Sequence, residues 1–439
     1  MGGEVADQTE KKDETGTPVP LGAGALPMYI PTDPLLGEQI HIVPGDYDDV
    51  DINITDIWDE YRGTGIVIGI VDDGVQWDHP DLIANYDTTI DYDGYGGDDD
   101  AAAEGEDWHG TAVAGLIAAD DNGFGVVGAA PDSTITGYRL SFGEDATHEM
   151  YLESLFLQSQ VDISNNSWGF PFYFHDNFND PVFSEYEVAL RNAVENGRDG
   201  LGTIWVFAAG NGHRIGDDAN FHNLVNSRYT IAVSSSSEDG GGSVEGNQGA
   251  PLFGVVPVDG GSFGITKTTD RTGVDGINTD ADGDYIEFGH SSGAAAVTSG
   301  VIALMLEANG DLGYRDVQEI LLYSSHRSEH YSTFFGRDEQ FAVKDWNGGR
   351  LGWHGETGPG VIDAHAAVRL AESWQKQSTL ANELSVEASD DTSRSIPDHG
   401  WSQSSPSGRI EPSVIIEDSF RVQWVEVVTS PQRLVRVEC

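Results

Sequence analysis

From about Pro31 to about Trp374, short runs of aliphatic and β-branched residues alternate with segments whose apolar positions recur every three to four residues. The runs at 66–71, 134–140, 161–164, 203–208 and 229–234 predict strands. The segments at 55–61, 110–119, 148–158, 185–196, 292–308, 315–323 and 364–375 predict helices. Such alternation predicts an α/β fold, a parallel sheet covered by helices. The helix at 292–308 is so apolar that it must be buried.

The flanks differ. Residues 1–28 are polar, with Gly, Pro and Thr, and predict a disordered tail before one large domain over 29–376. Residues 377–400 are rich in Ser, Asp and Glu and predict a linker. The remainder, 401–439, carries one segment of strand composition, VIIEDSFRVQWVEVV, and is too short to close a sandwich or barrel, so an incomplete module is expected.

Charge narrows the partners. With 74 Asp plus Glu against 22 Lys plus Arg, the net charge of −52 excludes an ordinary nucleic-acid binder and disfavours anionic membrane. There is no run of 18 apolar residues, and the N-terminus lacks the plan of a signal peptide. The one cysteine, Cys439, permits neither an intrachain disulfide nor a cysteine metal cage. The carboxylate excess instead points to calcium or a saline setting. A monomer is expected.

Three segments carry chemistry. In IVIGIVDDG an apolar strand ends on Asp72, where parallel sheets build their sites, although DDG also suits a turn or a cation ligand. In WHGTAVAGLIAA, His109 opens a helix of small residues. In FGHSSGAAAVTSGVIALMLEA, Ser292 begins the buried helix, at its positive end. Each alone reads as a cap or turn. Together, Asp then His then Ser is one of the chain orders of the serine triad. Asn211, after TIWVFAAG, offers an amide for the oxyanion.

These residues resemble the subtilisin-like serine peptidases, most closely the kexin and furin type of proprotein convertase. PTDP at 31–34, ISNNSWG at 163–169, LEANGDLGYRDVQEIL at 306–321 and VIDAHAAVRLAESW at 361–374 extend the likeness. The resemblance implies a subtilisin-like, doubly wound, mostly parallel sheet with helices on both faces, followed by a fragment of an all-β, jelly-roll-like P domain. It implies Asp72, His109 and Ser292 as triad and Asn211 in the oxyanion site. Ser167, Trp168 and Gly169 would pair with an extended polypeptide substrate, with Asp73 and Asp217 also contacting it. Asp33, Asp81 and Asn122 would hold one calcium ion, and Asp91, Asp98 and Asp100 a second. An extracellular or periplasmic place and a preceding prodomain are also implied.

Some positions depart from that pattern. Phe170, Pro171 and Phe172 follow SWG where convertases carry Pro and acids, and His222 and Asn247 stand near positions acidic in the family. Asp73 and Glu106 or Asp107 lie around the neighbouring subsite. Reduced or absent dibasic preference is therefore expected. At the nucleophile, the usual GTSxxxP becomes HSSGAAA, ending on Ala296. Two other readings stand beside the peptidase: an inactive peptidase-like module binding peptides or calcium, and an α/β-hydrolase whose elbow is GHSSG with Ser291, Asp363 and His365.

Overall fold

The computed structural model describes residues 29–44, 50–259, 265–280, 283–328, 342–346, 351–390, 420–427 and 436–438. The tail expected at 1–28 and most of 401–439 lie outside the described residues.

Seven strands make the central sheet: β1 (Val67–Asp72), β2 (Tyr92–Asp93), β3 (Thr134–Arg139), β4 (Ile163–Asn166), β5 (Ile204–Ala208), β6 (Thr230–Ser237) and β7 (Leu252–Asp259). They lie in the order β2-β3-β1-β4-β5-β6-β7, and every pair is parallel. A parallel sheet is covered on both faces, which is why β5, IWVFA, is apolar throughout and entirely buried. From β1 the chain builds out to β3, then crosses to β4 on the other side of β1. The strand order reverses between β1 and β4, so a crevice opens beyond their carboxyl ends.

The helices form two groups. α1 (His109–Ala118) packs on α4 (His290–Ala308), which packs on α6 (Ala364–Ser373), which meets α5 (Tyr314–Ser324). The second group is α2 (His148–Leu157) against α3 (Ser184–Asn196). α4 runs along β4 to β7 and is buried from Ser291 to Leu306, as its composition requires. By length and hydropathy it is able to cross a membrane, but 89% of that apolar stretch is buried inside the protein, as in a core helix. Gly300 lets α4 approach closely, because a Cβ there would lie 2.6 Å from Ala129 Cβ.

Four features differ from expectation. Residues 55–61 form turns, not a helix: the Ile57 and Glu60 amides donate to the carbonyls three residues back (3.0 and 2.9 Å). Trp58 is buried with its indole on Ala129 O (3.0 Å), so tertiary anchoring fixes this short segment, and Gly63 and Gly65 at positive φ turn the chain away. Strand β7 was not legible because Gly254 and Pro257 interrupt it. Its edge position tolerates the proline, which cannot donate to a neighbour. Two antiparallel pairs also form, β8 (Thr266–Thr269) with β9 (Tyr285–Phe288), and β10 (Ala342–Trp346) with β11 (Leu351–His354). Finally, the expected linker holds β12 (Glu383–Asp390), antiparallel to β13 (Phe420–Val427), itself paired to β14 (Arg436–Glu438). Leu384, Val386 and Ala388 alternate with polar residues, a period-two signal masked by the acidic composition.

Candidate active site

β1 delivers Asp72 to the crevice, where its buried carboxylate accepts from Nδ1 of His109 (2.9 Å to Oδ1, 3.1 Å to Oδ2). His109 is the first residue of α1, whose leading amides need acceptors. Asp73 supplies them: Oδ2 accepts from the Trp108 and His109 amides (3.0 and 3.1 Å) and Oδ1 from Gly110 (2.7 Å). Adjacent carboxylates thus fix the histidine twice, one by its ring and one by its backbone. Both Asp73 oxygens thus accept from the start of α1. Trp108 and Phe288 meet the imidazole edge-on, with centroids 5.6 and 5.2 Å away. Burial opposes protonation of His109, but the charge and hydrogen bond of Asp72 outweigh it and raise its pKa. Burial, reinforced by the charge of Asp72, pushes Asp73 up to about 6.

Ser292 lies in the first turn of α4 and is tied to the end of β4. Ser167 Oγ donates to Ser292 O (3.0 Å), and Ser292 Oγ donates to Ser167 O (3.2 Å). Its resting hydroxyl therefore bonds to a carbonyl and not to His109. Entry into α4 replaces the family's glycine by His290, which takes the left-handed region at φ 57°. Asp259 holds that conformation by accepting from the His290 amide (2.6 Å) and facing its ring.

Asn211 follows β5. Its Oδ1 accepts from both the amide and the hydroxyl of Ser291 (3.0 and 2.7 Å), and the Ser291 hydroxyl accepts from the Gly210 amide (3.2 Å). Asn211 Nδ2 makes no hydrogen bond among the described residues. Sequence reasoning missed this clamp, because a serine beside another serine gives no separate signal. The clamp also removes the hydrolase elbow: Ser291 is buried and committed to Asn211, β9 before it pairs antiparallel to β8, and Asp363 caps α6 by accepting from the Ala366 amide (2.7 Å).

Beside Ser292 a cavity of about 270 Å³ runs between the ends of β4 and β5. Trp168, Phe170, Phe207, Leu224 and Val225 contribute apolar walls, and Asp176, Asp217 and His222 the charged part. Asp217 is one of the residues lining this cavity. Asp176 was not foreseen, being 46 residues from His222 in sequence and next to it only after folding. Ser167 and Trp168 are buried, whereas Gly169 is exposed and a Cβ there would meet nothing within 4 Å.

The first expected metal set converges on the 122–126 loop. Asp33 Oδ1 and Asn122 Oδ1 both accept from the Phe124 amide (3.2 and 2.9 Å), and Asp81 accepts from Val126 (3.1 Å), Asn122 Nδ2 (3.3 Å) and Tyr285 OH (2.9 Å). Asp33 Oδ2 is buried with no hydrogen-bond partner, and burial pushes both Asp33 and Asp81 up to about 6. Oxygen donors with an orphaned buried carboxylate oxygen fit a hard cation. The second set does not assemble. Asp91 is buried against Tyr86 OH (3.2 Å), while Asp98 and Asp100 each accept an amide two residues onward in an exposed loop. Among the described residues, no three His, Cys, Asp or Glu side chains converge to hold a metal.

Residues 63–352 match the model of the subtilase family. The chain belongs to that family of serine peptidases. This subtilase is 32% identical over 354 residues to furin-like protease 2 of Drosophila melanogaster, covering 79% of this chain and 20% of the relative. It is 33% identical over 361 residues to human proprotein convertase subtilisin/kexin type 6, covering 79% and 34%. It therefore spans about a third or less of the length of these relatives. In fold it is similar to the serine protease of Aeromonas sobria solved with its chaperone (TM-score 0.73, 23% identity, 84% of this chain and 72% of that one). The α/β, subtilisin-like architecture expected from the sequence stands.

Proposed function

We propose that this subtilase is a serine endopeptidase that hydrolyses extended polypeptide through an acyl-enzyme. The observation that carries the reading is the Asp72–His109 pair (2.9 Å) at the carboxyl end of β1, with His109 opening α1, the helix that packs on the Ser292-bearing α4. Asp72 orients the imidazole and stabilises its protonated form. For attack, Ser292 Oγ leaves the Ser167 carbonyl and turns to His109 Nε2, which takes its proton as the oxygen bonds to the substrate carbonyl carbon. Asn211 Nδ2 and the Ser292 amide receive the oxyanion. His109 then protonates the leaving amine, and water enters by the reverse path to free the acid.

The backbone of Ser167, Trp168 and Gly169 continues β4 into the cleft, and the open space over Gly169 suits strand addition by the substrate. Asp33, Asp81 and Asn122 would hold calcium, which would fix the loop 122–126 and support α1, taking no part in the chemistry. We assign the peptidase domain to 29–376, and β13 to the opening of a P-like domain.

Fluorophosphonate labelling with peptide mapping tests the reading. Label on Ser292, absent in Ser292→Ala, supports it; a folded, unlabelled protein would favour the inactive binding module.

A further inference from the structure

His222 lies in the specificity cavity, 6% exposed, between two carboxylates. Its Nε2 bonds to Asp217 Oδ1 and Oδ2 (2.9 and 3.1 Å), and its Nδ1 stands 3.7 Å from Asp176 Oδ1. The remaining valences of Asp217 are also used: Oδ1 accepts from the Asp218 amide (2.8 Å) and Oδ2 from Asn247 Nδ2 (2.8 Å). Asp176 Oδ2 accepts from the Leu224 amide (2.7 Å), and its buried Oδ1 has no hydrogen-bond partner among the described residues, facing the His222 ring only as an ion pair at 3.7 Å.

We propose that His222 is the built-in counter-ion of the pocket for the residue on the acyl side of the cleaved bond. It occupies the pairing positions that a substrate Arg or Lys would need, so the pocket selects large uncharged side chains such as Leu, Met or Phe.

The inference rests on the peptidase reading above and adds the substrate class. Two unscreened carboxylates in a low-dielectric pocket attract a guanidinium strongly. With an imidazolium between them, an incoming cation meets like charge and finds both Asp217 oxygens engaged, which penalises basic substrates directly. Burial opposes protonation of His222, but the two flanking carboxylates, Asp176 and Asp217, outweigh it and hold the ring at about 9, so the cation is present at neutral pH. What remains for the substrate is apolar: Phe170, Phe207, Leu224 and Val225 line the walls, and Ile215, 78% exposed, borders the entrance.

The test is kcat/KM of the full chain on fluorogenic peptides that differ only at that residue. The native protein should cleave after Leu or Phe at least tenfold better than after Arg. His222→Gln keeps a donor for Asp217 and removes the cation; the Arg-to-Leu ratio should then rise at least tenfold, through KM for Arg. Adding Asp217→Asn should bring the ratio back down. An unmoved ratio, with all substrates slowed alike, would mean a merely structural histidine and overturn the proposal. Native preference for Arg would overturn it whatever the variants do. Should His222→Gln lose its circular-dichroism signature, inhibition of the native protein by peptide aldehydes decides: tenfold tighter binding of the Leu than the Arg aldehyde supports the proposal, and the reverse ends it. Failure of Ser292 to label would remove the peptidase reading and this inference with it, whereas a labelled Ser292 with Arg preference removes this inference alone.

Discussion

At the scale of single residues, hydrogen bonds fix the groups of the site in place. His109 must be neutral to accept a proton, and Asp72 raises its pKa from the ordinary value of 6.5. Activity should therefore rise with pH through a midpoint above that value. In Asp72→Asn the acid limb of kcat/KM should move to lower pH, with kcat down on the order of 10⁴-fold; a limb that stays in place in a pH–rate profile would show that another group sets it. Ser291 has a separate role, holding Asn211 by its carbonyl oxygen. Ser291→Ala removes one of the two bonds and should lower kcat by about tenfold with little change in KM, while Asn211→Ala costs on the order of 10²–10³-fold. The double variant should be no worse than Asn211→Ala, because both changes act on the same amide. The proposed triad residues were legible because each sits where a period changes, at a strand end or a helix start. The clamp and the Asp176–His222 contact were not, because they join residues far apart in sequence with no shared pattern.

At the scale of elements, strands β1, β3, β4, β5 and β6 and helices α1 to α6 follow the hydrophobic pattern, because each buries a face long enough to show its period. The turns at 55–61 and strand β7 escaped, the first because tertiary anchoring overrides a single turn of pattern, the second because Gly254 and Pro257 break the run. The close approach of α4 to the segment carrying Ala129 gives a direct check. Gly300→Ala would force a Cβ to 2.6 Å from Ala129 Cβ, and overpacking of this kind costs about 1–3 kcal/mol. Denaturant melts should show that loss as a lower midpoint with an unchanged slope. No loss would mean that α4 shifts freely, which would also move Ser292 and appear as reduced activity.

At the scale of the whole molecule, charge governs. A net charge of −52 opposes compaction, and raising monovalent salt from 0.1 to 1 M shortens the Debye length from about 10 to about 3 Å. The melting temperature should rise with salt. Calcium should add to this at millimolar concentration and constant ionic strength, by about 2.7 kcal/mol when its concentration is 100 times its Kd. Asp33→Asn should abolish the calcium increment and leave the salt increment intact; equal increments from magnesium and calcium would count against the 122–126 loop as a selective site. The acidic excess was plain from composition, but its division between a loop that gathers Asp33, Asp81 and Asn122 and another that leaves Asp98 and Asp100 apart depends on backbone geometry.

The chain order of the core carries a consequence for synthesis. All seven strands of the central sheet precede α4, the one described helix apolar enough to pass for a membrane span. As a ribosome releases the chain from its N-terminus, the sheet face that receives this helix has left the tunnel before the helix does, although α6, which packs on it, follows. The most lipid-like stretch of the sequence therefore emerges beside the sheet it packs on, and the proposed nucleophile at its head is among the last parts of the cleft to arrive.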